Sequence, residues 1–182
     1  MSDSDDELVD RARAGDHDAF CMLLERHRNV ALRVGYTIAG DEAEDAVQEA
    51  MIKAFHHLDR FRVGAPFRPW LLAIVANEAR NRRRVHGRHR ALELRVTNNS
   101  IANTADISAE DAALARDRRA RLLVAVTALP DRDREIVALR YFAGLSEAET
   151  SYALECPVGT VKSRLSRALG RLRLALAAET VT

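Results

Sequence analysis

The sequence predicts an all-α protein built as two small helical domains joined by a flexible linker. Aromatic residues make up only 5% of the 182 residues while 47% are apolar, a balance that favours helices over sheets. Apolar residues recur at steps of three and four over most of the chain, as on the buried face of a helix. Residues 96–107 are polar and have no such period, which is typical of a linker. The predicted domains cover 7–95 and 109–178, with the linker at 96–108.

Three helices are predicted in the first sixty residues. Apolar positions from Leu8 onward indicate two helices interrupted near Gly15, where Asp16 is placed to cap the second. Gly40 ends that segment, and the pattern 41–44 (Asp-Glu-Ala-Glu) is a capping-box variant that starts a third helix. The inner stripe of this helix is apolar: Ala43, Val47, Ala50, Met51, Ala54 and Leu58. At about 100° per residue, its opposite face gathers Asp45, Gln48, Glu49 and Ile52.

A fourth helix is predicted after a Gly-Ala-Pro break at 64–66. Pro69 suits its first turn, and an apolar stripe follows at Leu71, Ile74, Val75 and Ala79. This helix continues into a basic cluster between Arg80 and Arg95, which holds seven arginines and a single acid. Single arginines often only solvate a helix face, but a cluster of this size is typical of nucleic-acid binding.

The second domain is predicted to contain a helix-turn-helix at about residues 146–168. Helices are expected to start at Ser108 and after Pro130, and Ser146 begins a further helix as a capping box. Cys156 and Pro157 mark a turn before a long helix with the buried stripe Val161, Leu165, Leu169, Leu172 and Leu176. Residues that suit a major groove are left facing outward: Thr160, Lys162, Ser163, Ser166 and Arg167. The alternative is a helical hairpin with a solvated basic face.

The sequence lacks the features of a membrane-inserted, disulfide-bonded or metal-binding protein. The longest apolar run, 70–76, is far shorter than the roughly 20 residues of a membrane span, and the chain begins with acids rather than a signal peptide. We therefore expect a cytoplasmic protein without membrane insertion. Cys21 and Cys156 form no Cys-x-x-Cys pair, so we expect neither a disulfide nor a zinc knuckle. Arginines around His86 and His89 disfavour a dication there, and we expect no metal and no cofactor.

Three other functional classes compete for this pattern. An enzyme is disfavoured because the sequence has no Gly-rich phosphate loop, no Ser-His-Asp order and no Cys-His pair. A stand-alone helix-turn-helix repressor would normally dimerise to read a palindrome, and it leaves the acidic face around Asp45 unexplained. An RNA-binding protein fits the basic charge, but the sequence lacks aromatic platforms for bases.

Five motifs in the two halves resemble those of one protein family. The first half carries DEAEDAVQEA at 41–50, LDRFR at 58–62 and FRPWLLAIVAN at 67–77. The second half carries LPDRDREIVALRYFAGLS at 129–146 and CPVGTVKSRLSRA at 156–168. These blocks are similar to regions 2 and 4 of the extracytoplasmic-function group of sigma-70 family bacterial RNA polymerase sigma factors, and they occur in the family's order.

The resemblance implies a dissociable, non-enzymatic subunit that gives bacterial core RNA polymerase its choice of promoter DNA. It implies a helical bundle for region 2 and a helix-turn-helix for region 4, without an obligate homo-oligomer. Region 2 would bind core polymerase and would recognise and melt the promoter −10 element. Region 4 would recognise the −35 element, and the β flap is a further expected polymerase contact. An anti-sigma factor that clamps both domains is an expected partner.

The resemblance also assigns residues. The face of Asp45, Gln48, Glu49 and Ile52 would dock onto the clamp helices of the largest polymerase subunit. The −10 element would be contacted by Gly64, Ala65, Trp70, Asn77, Arg80, Asn81 and Arg84. The −35 element would be contacted by Thr160, Lys162, Ser163, Arg164, Ser166 and Arg167. For Trp70 two interpretations stay open, because an aromatic near an apolar stripe can stack on a base or pack in the core.

The sequence departs from the family pattern inside the helix-turn-helix. Family members commonly have Gly where this chain has Glu155, and an apolar pair where it has Thr150 and Ser151. A non-glycine residue in a left-handed turn costs about 1 kcal/mol. A buried Thr must return its hydroxyl to a backbone carbonyl one turn back. We therefore expect Thr150→Ile to stabilise the second domain.

Overall fold

The computed structural model describes residues 3–62, 64–93 and 120–179, with side chains left out at 86–93 and 179. Within these ranges the chain forms only helices and turns, which confirms the predicted all-α class. The first half contains α1 (Asp5–Arg13), α2 (His17–Ala39), α3 (Ala43–His56) and α4 (Phe67–Glu93). The second half contains α5 (120–128), α6 (Asp131–Val137), α7 (Glu147–Ala153) and α8 (Val158–Glu179). No helix in the described ranges has the length and apolar character that crossing a bilayer requires.

Side-chain caps begin α1 and α2. The Ser4 hydroxyl accepts a hydrogen bond from the Glu7 N–H at 3.2 Å, and the Glu7 carboxylate accepts from the Ser4 N–H at 2.7 Å. This reciprocal pair is a capping box, and its hydrogen bonds lower the pKa of Glu7. The Asp16 carboxylate accepts from the Ala19 N–H at 3.1 Å, so the predicted cap of the second helix is confirmed.

The capping box predicted at 41–44 is wrong. Gly40 ends α2 with a φ of 63°, and Gly40–Glu42 then form a 3-10 turn. The N–H of Ala43 bonds to the Gly40 carbonyl within this turn, and no side chain caps the start of α3. The local 3-10 hydrogen bond therefore replaces the side-chain cap that the sequence pattern predicts.

The predicted apolar stripe packs α3 against α2 and α4. Its members are buried or, for Met51, half-buried and packed against the core. Gly35 of α2 allows the two helices to approach closely, since a Cβ there would lie 3.0 Å from Cγ2 of Val47 and 3.3 Å from the carbonyl oxygen of Ala43. This packing fixes which face of α3 remains accessible to a partner.

A π-helical segment, Ala138–Phe142, follows α6. The N–H of Ala143 donates to the carbonyl of Ala138 at 2.9 Å, five residues back. Such a wider turn carries one residue more than a regular α-helix. The sequence predicts a continuous helix up to Gly144 and gives no sign of this segment.

The two halves pack on a common apolar core. Its largest cluster joins side chains of α2, α3 and α4 to five from the second half: Ala138, Leu139, Ala143, Leu145 and Ala153. A second cluster lies within the first half, around Phe20 and Phe67. A third lies within the second half, around Val126 and Leu172. The predicted linker at 96–108 and the helix start at Ser108 lie outside the described residues, and the domain limits stay a prediction.

Candidate nucleic-acid and partner interfaces

The outward face of α3 combines acidic and apolar groups. Asp45 and Gln48 are exposed, Glu49 is half-buried, and Ile52 is 46% exposed. Asp45 Oδ2 lies 3.1 Å from Nη1 of Arg82, while Glu49 Oε1 lies 3.6 Å from a lysine Nζ one turn on. Both ion pairs are open to solvent and therefore contribute little to stability. They can be exchanged for the basic groups of a partner.

An open groove of about 510 Å³ lies between α2 and α3 beside this face. Gln48 and Ile52 line it together with side chains that include Phe20, Cys21, Leu24, Leu32, Val47, Met51 and Phe55. Sequence reasoning missed this groove, because its shape depends on how the two helices pack. The available signal was Phe55, an aromatic residue outside the buried stripe that is exposed in the structure.

Trp70 belongs to an aromatic cluster at the start of α4. Its ring centroid lies 4.9 Å from that of Phe61 and 5.5 Å from that of Phe67. These contacts favour the packing interpretation, although the side chain is only half-buried and base stacking stays a prediction. In the preceding loop, Gly64 is exposed with a φ of 78°, and Ala65 packs against the same apolar cluster.

Some polar side chains of α4 are exposed, whereas others form hydrogen bonds with the second half of the chain. Asn77, Asn81 and Arg84 are exposed. Arg80 is half-buried, and its Nη2 donates to Oε2 of Glu135 in α6 at 3.1 Å. The predicted residues therefore share one helix, but Arg80 is tied to the second half. The side chains of His86 and His89 lie outside the described residues, and no cluster of metal-ligating side chains occurs in the described part of the chain.

The helix-turn-helix is formed by α7, a turn and α8. The Ser146 hydroxyl accepts from the Glu149 N–H at 3.2 Å and the Glu149 carboxylate accepts from the Ser146 N–H at 2.7 Å, which confirms the predicted capping box. These bonds to Ser146 lower the pKa of Glu149. Glu155 has a φ of 48°, the left-handed conformation expected of it. The buried Thr150 donates its hydroxyl to the Ser146 carbonyl at 2.8 Å, also as expected.

The first half of α8 presents an accessible polar surface. Lys162, Ser163, Ser166 and Arg167 are exposed, and Thr160 and Arg164 are half-buried. The Ser163 hydroxyl donates to the Thr160 carbonyl at 3.2 Å, and Lys162 Nζ lies 3.4 Å from a Glu147 carboxylate oxygen. Burial of Val161 and Ala168 on the other side of the helix holds this surface outward. The six predicted −35 residues are thus all accessible, at least in part.

Comparison with known proteins identifies the family. Models of Sigma-70 region 2 and of Sigma-70, region 4 match residues 23–89 and 119–172. Over 172 residues the chain is 34% identical to the ECF RNA polymerase sigma-E factor of Escherichia coli strain K12, and the match covers 91% of this chain and 90% of that protein. The chain belongs to the extracytoplasmic-function sigma factors of the sigma-70 family.

Further relatives of this sigma factor agree. It is 35% identical over 175 residues to the RNA polymerase sigma-H factor of Pseudomonas aeruginosa, covering 91% of this chain and 90% of that one. The structure of CnrH in complex with the cytosolic domain of CnrY matches with a TM-score of 0.73 and 27% identity, over 97% of this chain and 99% of that chain. The sigma factor RpoE in complex with the anti-sigma factor NepR from Bartonella quintana matches with a TM-score of 0.65 and 28% identity, over 85% and 96%.

Replacing Thr150 by isoleucine is expected to raise the free energy of unfolding of this sigma factor by about 1 kcal/mol. The Thr150 hydroxyl donates to the carbonyl of Ser146, and the same carbonyl also accepts the Thr150 N–H at 2.9 Å. Loss of the hydroxyl therefore leaves this carbonyl with a hydrogen-bond donor. Thermal and urea unfolding of the full chain measure the effect. Thr150→Val removes the hydroxyl without lengthening the side chain. It therefore separates the effect of losing the hydroxyl from that of the methyl group that isoleucine adds. Lower stability of both variants would contradict the expectation.

Proposed function

We propose that this sigma factor binds core polymerase and the two promoter elements through three separate surfaces. The α3 face of Asp45, Gln48, Glu49 and Ile52 binds core polymerase, α4 and the loop before it contact the −10 element, and α8 contacts the −35 element. The observation that carries this proposal is the distribution of charge, with one acidic and partly apolar surface and two basic ones on a single chain. Basic surfaces suit DNA, whereas an acidic surface complements a basic protein helix.

Polymerase docking is proposed to use both the acidic face and the groove beside it. A basic helix from the clamp of the largest subunit would displace the weak pairs to Arg82 and Lys53. Apolar side chains on the same helix would enter the groove next to Ile52, where burial adds affinity. The second half would meet the β flap of the polymerase. Asp45 and Glu49 then set specificity and the rate of association more than the final affinity.

Promoter contacts are proposed along α4 and α8. Asn77 and Asn81 lie four residues apart on α4, so their amides share a helix face and can bond base edges. Arg80 and Arg84 would hold phosphates, and the small residues Gly64 and Ala65 would leave room for a base flipped from the −10 strand. In the second half, the accessible face from Thr160 to Arg167 would enter the −35 major groove.

Control by an anti-sigma factor is part of the proposal. RpoE from Bartonella quintana was solved with the anti-sigma factor NepR, and CnrH with the cytosolic domain of CnrY. An anti-sigma factor that contacts both halves of this chain would block polymerase and DNA together. The chain itself acts as a non-catalytic specificity subunit without a cofactor, in the cytoplasm where polymerase and chromosome are found.

Run-off transcription tests this assignment. The purified chain is mixed with sigma-free bacterial core polymerase and a fragmented genomic library, beside a double variant, Asp45→Arg and Glu49→Arg. Wild type is expected to direct initiation at discrete start sites, whose upstream sequences align into two elements. The variant is expected to lose initiation and to bind core polymerase at least about tenfold more weakly, because like charges would now face the clamp.

A charge-matched control separates this effect from general charge reversal. Asp6→Arg with Asp10→Arg reverses two exposed carboxylates on α1 and is expected to retain initiation. Equal loss in both double variants would remove the α3 face from the proposal. Binding of wild type to duplex DNA without any initiation would favour the stand-alone regulator instead.

A further inference from the structure

Arg80 of α4 and Glu135 of α6 form a two-point ion pair across the two halves. The Arg80 guanidinium donates through Nε and Nη2 to the two carboxylate oxygens of Glu135, the second bond measuring 3.1 Å. Glu135 is only 4% exposed. Burial raises the pKa of this carboxyl group, and the bonds from Arg80 oppose that rise. Carboxylates and phosphates bind the same two-pronged edge of an arginine.

Two other arginines of α4 also donate hydrogen bonds to the second half. Arg83 donates to the carbonyl of Thr127 at 3.0 Å, and its Nε lies 3.6 Å from Asp131 Oδ1. Arg68 donates to the carbonyl of Ala143. Three arginines on one helix are therefore bound to acceptors that surround the shared apolar core. In a nucleic-acid complex, phosphate oxygens would be the acceptors.

The two DNA surfaces consequently differ in availability. Lys162, Ser163 and Arg167 on α8 are exposed, whereas Arg80 on α4 is engaged by Glu135. The α8 surface can meet duplex DNA in this arrangement. The Nε–Nη2 edge of Arg80 can bind a phosphate only after its pair with Glu135 has separated.

We propose that the packed form is self-inhibited because the Glu135 carboxylate occupies the place of a −10 phosphate on Arg80. The inference rests on the proposed −10 role of α4 and adds a competitor built into the chain. Closed and open forms are in equilibrium, and DNA binds Arg80 only in the open one. Ligands that bind only one form shift such an equilibrium by their differential affinity. The −35 surface stays accessible in both forms.

Glu135→Gln tests the proposal in the full chain, since the amide keeps the shape but removes the charge. Small-angle X-ray scattering measures the radius of gyration, and fluorescence anisotropy measures binding to a labelled random-sequence single-stranded DNA. A helix-turn-helix reads the major groove of a duplex, so single-stranded DNA reports on the first half. We expect a larger radius and about tenfold tighter binding, because a larger fraction of the chain is competent to bind.

Two further variants make the test specific. Arg80→Gln breaks the same pair from the other side, so it is expected to enlarge the radius without tightening DNA binding. Glu155→Gln removes an exposed carboxylate in the same half and is expected to change neither quantity. Far-UV circular dichroism establishes that each variant keeps its helical content. If Glu135→Gln folds and still matches wild type in both radius and affinity, the proposal is overturned, and Arg80→Gln provides the same check should Glu135→Gln not fold.

The double variant Glu135→Gln with Arg80→Gln distinguishes this failure from that of the proposed −10 role. Loss of the gained affinity in the double variant supports direct competition for Arg80. If the double variant binds single-stranded DNA as tightly as Glu135→Gln alone, Arg80 does not hold phosphates and both the −10 role of Arg80 and the competition are wrong. If Arg80→Gln weakens binding while Glu135→Gln changes nothing, only the self-inhibition is wrong.

Discussion

Arg134→Ala is expected to lower the free energy of unfolding by about 3–5 kcal/mol. The side chain is 2% exposed and lies where α5, α6 and the end of α2 meet. Its guanidinium donates to the carbonyls of Val126 at 3.2 Å, Thr127 at 2.8 Å and Ile38 at 3.3 Å, and also to that of Leu129. Alanine would leave a cavity lined by carbonyl oxygens that have lost a donor.

The charge of Arg134 persists despite this burial. Desolvation, with Arg83 nearby, lowers its pKa to about 10, while Asp131 opposes the shift. The side chain is therefore still protonated at neutral pH and provides all its donors. Arg134→Lys is expected to lower the free energy of unfolding by less than Arg134→Ala, because it keeps a charge but its ammonium cannot reach carbonyls in several directions.

Urea unfolding followed by far-UV circular dichroism measures the effect of Arg134→Ala. Arg132→Ala is the matched control, because Arg132 is exposed on the same helix. We expect that control to change stability by less than about 0.5 kcal/mol. If Arg134→Ala lowers the free energy of unfolding no more than Arg132→Ala does, the buried hydrogen bonds of Arg134 contribute nothing to stability.

Leu139→Ala is expected to destabilise both halves together, by about 2–5 kcal/mol. Leu139 is fully buried, at 0% exposure, in the apolar cluster that the two halves share. The cavity would border α2 and α4 as well as the second half. Leu174→Ala makes the same deletion at a side chain that is 75% exposed, and it is expected to be close to neutral.

Trp70 provides a selective readout for Leu139→Ala. It is the single tryptophan of the chain and lies in the first half, whereas Leu139 belongs to the second. Urea unfolding monitored by tryptophan fluorescence and by circular dichroism should give one coincident midpoint, lowered in both signals. A fluorescence midpoint equal to that of wild type would mean that the halves unfold independently, contrary to the shared core.

Local features of this fold could be predicted from sequence, because neighbouring residues determine them. The caps at Asp16 and Ser146 and the stripe of α3 depend on residues within one or two turns. The left-handed Glu155 and the hydroxyl bond of Thr150 are expected instead from the family resemblance. The error at 41–44 is also local, because two hydrogen-bonding solutions compete there and the backbone turn replaces the side-chain cap. For the candidate site, the sequence indicated which residues lie outward on α3 and α8.

Contacts between distant segments could not be predicted in the same way. Arg134 reads as an ordinary charged helix residue until the carbonyls of Ile38 and Leu129 surround it. Arg80 reads as one more member of a basic cluster until α6 brings Glu135 to it. Neither pairing leaves a periodic pattern in the sequence, because an arginine can bond any carbonyl or carboxylate within reach. The groove beside α3 depends likewise on helix packing.

The π-helical turn at Ala138–Phe142 bears on how such a domain diverges in evolution. Each residue of a regular helix advances the chain by about 1.5 Å and rotates it by about 100°. The extra residue therefore shifts the direction in which the chain leaves this segment towards α7 and α8, and a side-chain replacement does not remove that residue. Insertions or deletions of single residues, rather than point substitutions, would be the events that re-aim α8, the helix proposed to read the −35 element, between lineages.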